Sequence, residues 1–332
     1  MKVLITGAGG FMGSHVLRHV LVKTDWDIVI IDSFRHKGLT DRIRVQLEGQ
    51  DSSRVKILSH DLTAPISKQL AYEIGTIDYV LNIASESHVD RSISSPRDFI
   101  ENNIKLILTM LEYIREYPVR KFIQISTDEV YGPAPDGHKH KEGEPHRPSN
   151  PYSASKAAQD DICYSYWRTY SLPICITNTM NIIGEMQDPE KYVPMVIQKV
   201  QSGKKVLIHA SADKKKIGTR YYLHARNQAD ALVFLLKQVG FPLYGAGEMA
   251  RYNVVGQREV DNLEMAEMIA EAVGKKLDYT LVDFHSSRPG HDLRYALDGT
   301  KMRKLGWKAP LSLEDSIDST VKWTLEHPEW ML

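Results

Sequence analysis

Tyr152 and Lys156 stand four residues apart in the run Tyr152-Ser153-Ala154-Ser155-Lys156. On a helix that spacing puts a phenol and an ammonium on one face. A cation close by lowers a phenol's pKa from its ordinary value of about 10 and makes it usable as a base near neutral pH. Upstream, Thr127-Asp128-Glu129 sets two adjacent carboxyls at the end of an apolar run. In a closed site such carboxyls have pKa values pushed apart, so that one serves as acid and the other as base. At a solvated strand end they do neither, and a Tyr–Lys spacing of four recurs by chance. Reading them as chemistry depends on what else the chain brings to the same place.

A glycine-rich turn supplies that context. Gly7-Ala8-Gly9-Gly10-Phe11-Met12-Gly13 follows the first apolar run and opens a helical one. Gly7, Gly10 and Gly13 suit a tight turn, close backbone approach to a pyrophosphate, and close helix–strand packing. The helix N-terminus adds unpaired N–H groups for the phosphates. Asp32 ends the second apolar run, 19 residues after Gly13. There a carboxylate accepts ribose hydroxyls and repels a 2′-phosphate, which favours NAD over NADP. Arg35 and Lys37 are read as solvated loop charges. Asp61, in His60-Asp61-Leu62, is either an adenine contact or the cap of the next helix.

These residues need a sheet to position them. Val3–Thr6, Ile28–Ile31, Val55–Leu58, Tyr79–Ile83 and Phe122–Ser126 read as strands, with helical patterns between them, clearest over Asp98–Tyr117 and Ser153–Tyr170. Continuous β-branched strands alternating with helices predict an α/β, Rossmann-type, doubly wound parallel sheet. Such sheets bind ligands at the carboxyl ends of their strands. The expected division is a dinucleotide-binding domain over 1–180, its sheet completed by roughly 221–256, with 181–220 and 257–332 forming a smaller substrate-binding lobe. Val193–Val200, Ala229–Lys237 and Leu263–Val273 read as helices, Val206–Ile208 and Tyr252–Val255 as strands. Gly132–Asn150, with four prolines, three glycines and three histidines, reads as a surface loop. No acidic partner is fixed beside His138, His140 and His146 by sequence, so no metal site is expected.

Composition narrows the partners. Over 332 residues, Lys plus Arg and Asp plus Glu number 42 each, which leaves no global charge to hold nucleic acid or an anionic membrane. The two cysteines, Cys163 and Cys175, suit core packing in a reducing compartment. With no signal-like start and no run of about 18 apolar residues, the expectation is a soluble, cytoplasmic protein.

Taken together, the glycine turn, Asp32 and the Tyr152/Lys156 pair resemble the extended short-chain dehydrogenase/reductases. Within them, Ser126-Thr127-Asp128-Glu129-Val130-Tyr131-Gly132 resembles the dTDP-glucose 4,6-dehydratases. Glu86-Ser87-His88-Val89-Asp90-Arg91-Ser92-Ile93, Asp188-Pro189-Glu190-Lys191 and Arg288-Pro289-Gly290-His291-Asp292 look like segments of the same family. The resemblance implies that Tyr152 takes the proton of the sugar 4-hydroxyl, with Thr127 bonding the same oxygen. It implies that Glu129 removes the proton on carbon 5 while a protonated Asp128 donates to the departing 6-hydroxyl. Cofactor contacts would extend over Phe11, Met12, Leu62 and Ala84. Nucleotide-sugar contacts would fall on Ser87, Asn181, Lys191, His209, Arg220, Asn262, Arg288 and His291, with Arg220 and Arg288 as diphosphate clamps. The family's helix pairing implies a homodimer through a four-helix bundle. Two departures stand out. Asn181-Ile182-Ile183-Gly184-Glu185 replaces the family's Asn-Asn-Tyr-Gly-Pro, and His209 replaces a tyrosine beside the base, which leaves thymidine and uridine both open. The rival readings are a 4-epimerase or decarboxylase, which needs no carboxyl pair, and a non-catalytic NAD-binding protein.

Overall fold

Val3, Leu4 and Ile5 are all fully buried, yet Val3 and Ile5 pack in one core and Leu4 in another. Side chains alternate across a strand, so this run is covered on both faces, which is why it reads as unbroken apolar sequence. The computed structural model describes residues 1–36, 39–283 and 292–331. Its strands are β1 (Lys2–Thr6), β2 (Asp27–Asp32), β3 (Val55–Ser59), β4 (Tyr79–Asn82), β5 (Lys121–Thr127), β6 (Ile174–Thr179), β7 (Asn181–Ile183), β8 (Val206–Ala210), β9 (Thr219–His224), β10 (Ala250–Val254), β11 (Glu259–Asp261) and β12 (Tyr279–Asp283). Its helices are α1 (Phe11–Lys23), α2 (Leu39–Leu47), α3 (Lys68–Ile74), α4 (Val89–Ser94), α5 (Pro96–Glu116), α6 (Pro151–Tyr170), α7 (Tyr192–Gln201), α8 (Ala225–Gln238), α9 (Asn262–Val273), α10 (Thr300–Lys304) and α11 (Leu313–Glu326).

Seven strands form one parallel sheet in the order β10-β6-β5-β4-β1-β2-β3. This is the doubly wound arrangement, with β10 added beyond β6. Helices α1 and α8 fill the core on one face, and α3, α5 and α6 fill it on the other. The chain turns outward in opposite directions from β1 and β4, which opens a crevice at their carboxyl ends. A third core joins α7, α9 and α11 over the small sheet β11-β9-β7 and the pair β12-β8. Among the described residues, no helix is long and apolar enough to cross a membrane.

The 132–150 segment is held more firmly than a surface loop. Ala134 N donates to Arg294 O, His140 N to Ala296 O and Arg147 N to Val130 O, each at 2.9–3.0 Å. Glu142 accepts from Asn253 N of β10 at 2.9 Å. Long-range partners, invisible in the segment's own composition, pin it to the end of β5 and the edge of the sheet.

Candidate active site

The first βα turn is shaped by two glycines. Gly7 has φ +69°, and a Cβ there would sit 2.8 Å from Ala84 Cα; one on Gly13 would sit 2.1 Å from Gly7 O. The turn therefore admits no side chain where helix α1 closes on β1 and β4. Asp32, at the end of β2, accepts Gly9 N at 2.9 Å through one oxygen and Phe34 N at 3.0 Å through the other. Its carboxylate is thereby fixed beside the glycine turn. Asp61 forms a turn with Thr63 N at 2.9 Å, whereas α3 is capped by Ser67, so Asp61 is not a helix cap. Arg35 is exposed, as a solvated charge should be, and it also bonds Asn102 at 2.6 Å, Glu86 at 3.2 Å and Asp61 at 3.3 Å. Lys37 lies outside the described residues.

The carboxyl pair follows β5 on a short 3₁₀ turn, Asp128–Tyr131. Thr127 Oγ1 donates to Asp128 Oδ1 at 2.9 Å, and Asp128 Oδ2 is buried with no hydrogen-bond partner. Burial, and then the neighbouring Glu129 charge, push the Asp128 pKa up to about 7. Burial also raises Glu129, against a hydrogen bond from Asn150. Helix α6 starts at a capping box between Asn150 and Ser153, with Pro151 in the first turn. That start carries Tyr152 into the cleft that Thr127 also lines.

The expectation that Lys156 lowers the Tyr152 pKa is not what the site displays. Burial, then Glu129, push the phenol above its ordinary value. Lys156 Nζ is turned to two neutral acceptors, Ile125 O at 2.7 Å and Gln159 Oε1 at 2.6 Å, and burial draws its own pKa down to about 8. Desolvation leads the rise at the phenol, and the carboxyls of Glu129, Asp128 and Asp160 add to it.

One continuous cleft of about 660 Å³ gathers these groups. Gly7, Gly10, Phe11, Met12, Gly13, Asp32, Asp61, Leu62 and Ala84 line it together with Thr127, Asp128, Glu129, Tyr152 and Lys156. So do Ser87, Asn181, Lys191, His209, Arg220 and Asn262 from the second lobe and the β4 loop. Arg288 and His291 lie outside the described residues. Arg220 is less free than a clamp: Nη1 donates to Thr219 O and Leu293 O, and Nη2 to Asp292 O, at 2.6–2.7 Å. Its guanidinium also stacks 4.6 Å from the Tyr295 ring centroid. Of five N–H donors, Nε–H and one Nη2–H remain for an anion.

Three residues that were assigned no role in the sequence reading belong to this cleft or its wall. Asn150 Nδ2 holds Glu129 Oε2 at 3.1 Å; its position before Pro151 was the available signal. Asp292 and Tyr295 line the cleft, and Asp292 Oδ2 is buried without a hydrogen-bond partner. The departures from the family pattern also resolve. Ile182 packs against the sheet core, and Glu185, 3% exposed, pairs with Arg226 at 2.5 Å and His224 at 3.3 Å beside His15 of α1. In the 132–150 segment Glu144 does meet His138 at 3.1 Å and His140 at 2.7 Å, a partner the sequence reading missed. Gly143, at φ +89°, turns the chain back to bring it there, and Glu144 also accepts Lys141 N, so protein donors satisfy the carboxylate.

Comparison with known proteins agrees with this geometry. The profile of the GDP-mannose 4,6 dehydratase family matches residues 4–320. The low-salt glycan biosynthesis protein Agl12 of Haloferax volcanii is 35% identical over 331 residues, spanning 99% of this chain and 100% of that one. The dTDP-glucose 4,6-dehydratase of Shigella flexneri is 35% identical over 355 residues, spanning 100% of this chain and 94% of that one. The dTDP-glucose 4,6-dehydratase DesIV of Streptomyces venezuelae, solved with NAD bound, superposes with a TM-score of 0.85 at 29% identity, over 99% of this chain and 98% of that one. With the Thr127-Asp128-Glu129 run and the Tyr152/Lys156 pair in one cleft, the chain belongs to the GDP-mannose 4,6 dehydratase family, among relatives that bear the dTDP-glucose 4,6-dehydratase name.

Proposed function

We propose that this protein is an NAD-dependent nucleotide-glucose 4,6-dehydratase, acting on dTDP-glucose or UDP-glucose and releasing water to give a 4-keto-6-deoxy sugar. The observation that carries the reading is the buried Asp128 and half-buried Glu129 lining one cleft with Tyr152, with Asp128 near pKa 7. An epimerase has no use for such a pair, and a binding protein has no use for any of it.

The residues around the glycine turn fit a dinucleotide, because Gly7 and Gly13 let helix α1 close tightly on β1 and β4 so that its N-terminus faces the cleft, and Asp32 stands beside that turn for ribose hydroxyls. Bound there, NAD supplies a reversible hydride store. Once ionised, beside the Lys156 cation and a positively charged bound NAD, Tyr152 Oη would accept the proton of the 4-hydroxyl while Thr127 Oγ1 bonds the same oxygen. Glu129 then takes the proton from carbon 5, its raised pKa making it a competent base. Asp128, half protonated at neutrality, delivers a proton to the leaving 6-hydroxyl. Asn181, Lys191, His209, Arg220 and Asn262, with Ser87 and the segment holding Arg288 and His291, bind the nucleotide sugar.

We further read residues 1–180 with 221–256 as the cofactor domain and the remainder as the substrate lobe. Ile100 and Leu108 on α5 and Tyr164 on α6 are exposed apolar side chains on two packed helices. They support a homodimer closed as a four-helix bundle, and a monomer by light scattering would sink it. Two buried free cysteines support a reducing, cytoplasmic setting.

The test of function is isotopic. A deuterium placed on carbon 4 of the glucose unit should reappear on carbon 6, with loss of one water and a solvent hydrogen on carbon 5. Label retained on carbon 4 without a mass change identifies an epimerase, and no movement identifies a binding protein.

A further inference from the structure

Helix α6 carries a third polar side chain in register with Tyr152 and Lys156. Asp160 lies four residues beyond Lys156 and so shares its face. It is 0% exposed, and its Oδ2 accepts Ser126 Oγ at 2.9 Å, from the strand residue just before Thr127. Its Oδ1 is buried with no hydrogen-bond partner. A carboxylate kept half-bonded in a core is costly, and an asparagine would make the Ser126 contact at less cost. The charge itself must therefore be what the position needs.

The charge has a fixed counterpart. Arg251, on β10, places Nη2 3.6 Å from Asp160 Oδ2. Arg251 Nη1 lies 3.0 Å from His146 Nε2. His146 Nδ1 faces Asp161 at 3.3 Å, and its Nε2 lies 3.9 Å from Asp160 Oδ2. Burial pushes the Asp160 pKa up, and the Arg251 guanidinium is the leading charge that opposes this. On the other side of Asp160, Lys156 Nζ touches only the neutral Ile125 O and Gln159 Oε1 named above, so the Asp160 charge is the leading influence opposing its loss of a proton.

We propose that Asp160 is a positioning residue, held as an anion by Arg251, that keeps Lys156 a cation for Tyr152 to work beside. The proposal rests on the reading of Tyr152 as the base of a dehydratase. Charges then alternate from the sheet edge to the cleft: Arg251 positive, Asp160 negative, Lys156 positive, the Tyr152 oxygen negative when it ionises. The other titratable groups around the cluster are Cys163 and Asp161 on α6, His146 and Glu142 on the 132–150 segment, and Tyr131 on the turn after β5. Burial holds Cys163 up as a thiol and pushes Tyr131 up to about 12, so neither contributes charge near neutrality.

The experiment uses the full chain with its bound cofactor. Lysine Cε is labelled with ¹³C, the Lys156 resonance is assigned by its loss in Lys156→Met, and its titration is followed beside the pH profile of kcat on a nucleotide-glucose. Asp160→Asn should lower the Lys156 midpoint by at least about one unit. It should also cut kcat near pH 7 on the order of tenfold, with KM within about twofold. Arg251→Gln should move both readouts the same way, and Arg251→Lys should restore them. An unmoved Lys156 midpoint and kcat profile in Asp160→Asn overturn the proposal. Should that variant fail to fold, an unmoved midpoint in Arg251→Gln overturns it equally. The lysine titration needs no substrate, so a wild-type protein that dehydrates no nucleotide-glucose defeats the dehydratase reading without deciding this one.

Discussion

Asn150 joins the base to the helix that carries the phenol: Nδ2 donates to Glu129 Oε2 at 3.1 Å, and Oδ1 accepts Ser153 N at 2.9 Å to cap α6. The two halves of that amide are separable. Asn150→Ser should keep the cap but release Glu129, whose pKa then rises further because the hydrogen bond was lowering it. The acid limb of the kcat profile should move to higher pH with little change in Tm. Asn150→Ala should add a stability loss of about 1 kcal/mol. Identical pH profiles in wild type and Asn150→Ser would separate Asn150 from the base.

As the proposed acid, Asp128 would work only while protonated. With its pKa near 7, its share of activity is full at lower pH and falls as pH rises through that value. Asp128→Asn should lower water loss by about 10²–10⁴-fold and erase this alkaline limb, read by mass spectrometry of the product across pH. A persistent limb near pH 7 in the variant would assign it to another group.

Cofactor retention depends on the bare turn. The wild-type protein should purify with tightly bound NAD and turn over without added cofactor. Gly13→Ala forces a Cβ toward Gly7 O, at 2.1 Å if nothing moved, and should purify with little NAD by mass spectrometry of the denatured extract. Full occupancy in that variant would mean that the turn is not the phosphate seat.

The pocket behind α1 predicts acid lability. Burial alone would raise Glu185, but His224, 3.3 Å from its Oε2, together with His15 and Arg226, holds it down to about 2. Burial draws His15 from 6.5 down to about 4. Both folded values lie below the ordinary ones, so the unfolded chain binds more protons. Stability is therefore complete above about pH 6.5 and is lost first through the His15 window, then below about pH 4.5 through that of Glu185. Glu185→Gln should cost about 3 kcal/mol, the low end for breaking a buried pair because Arg226 is half exposed. An unchanged Tm at pH 7 would count against it.

The first five strands were legible to within a residue or two because each carries an apolar run between helical patterns, unbroken in β1, β2 and β4, which are buried on both faces. Strands β6, β7, β9, β11 and β12 were not. Strands β7, β9 and β11 are short, mix polar with apolar residues, and owe their pairing to one another rather than to local pattern. Helix α8 starts earlier than its apolar period suggests because His224, an unusual cap, accepts Arg226 N at 3.0 Å. In the site, residue types at strand ends were readable, but contacts across long separations were not. Arg35 on Glu86 and Arg220 on the 292–293 carbonyls depend on how distant segments meet, whereas Glu144 reaches its two histidines within one local turn that its residue types do not announce. Lys156 shows the same limit for electrostatics: spacing placed it beside Tyr152, but only the fold shows that burial and the nearby carboxyls prevail there.

The seventh strand sets the order in which this molecule can be made. Every residue of β6 is buried in the finished sheet, and β10 pairs along it in parallel. On the ribosome the first six strands can assemble while β6 stays an open flank, its row of amides and carbonyls waiting for a partner encoded far downstream. Arg251 arrives with that partner, so the rear of the catalytic helix is unfinished until then. A nascent or truncated chain ending before residue 250 is thus a six-stranded sheet with an open, adhesive flank rather than a smaller enzyme.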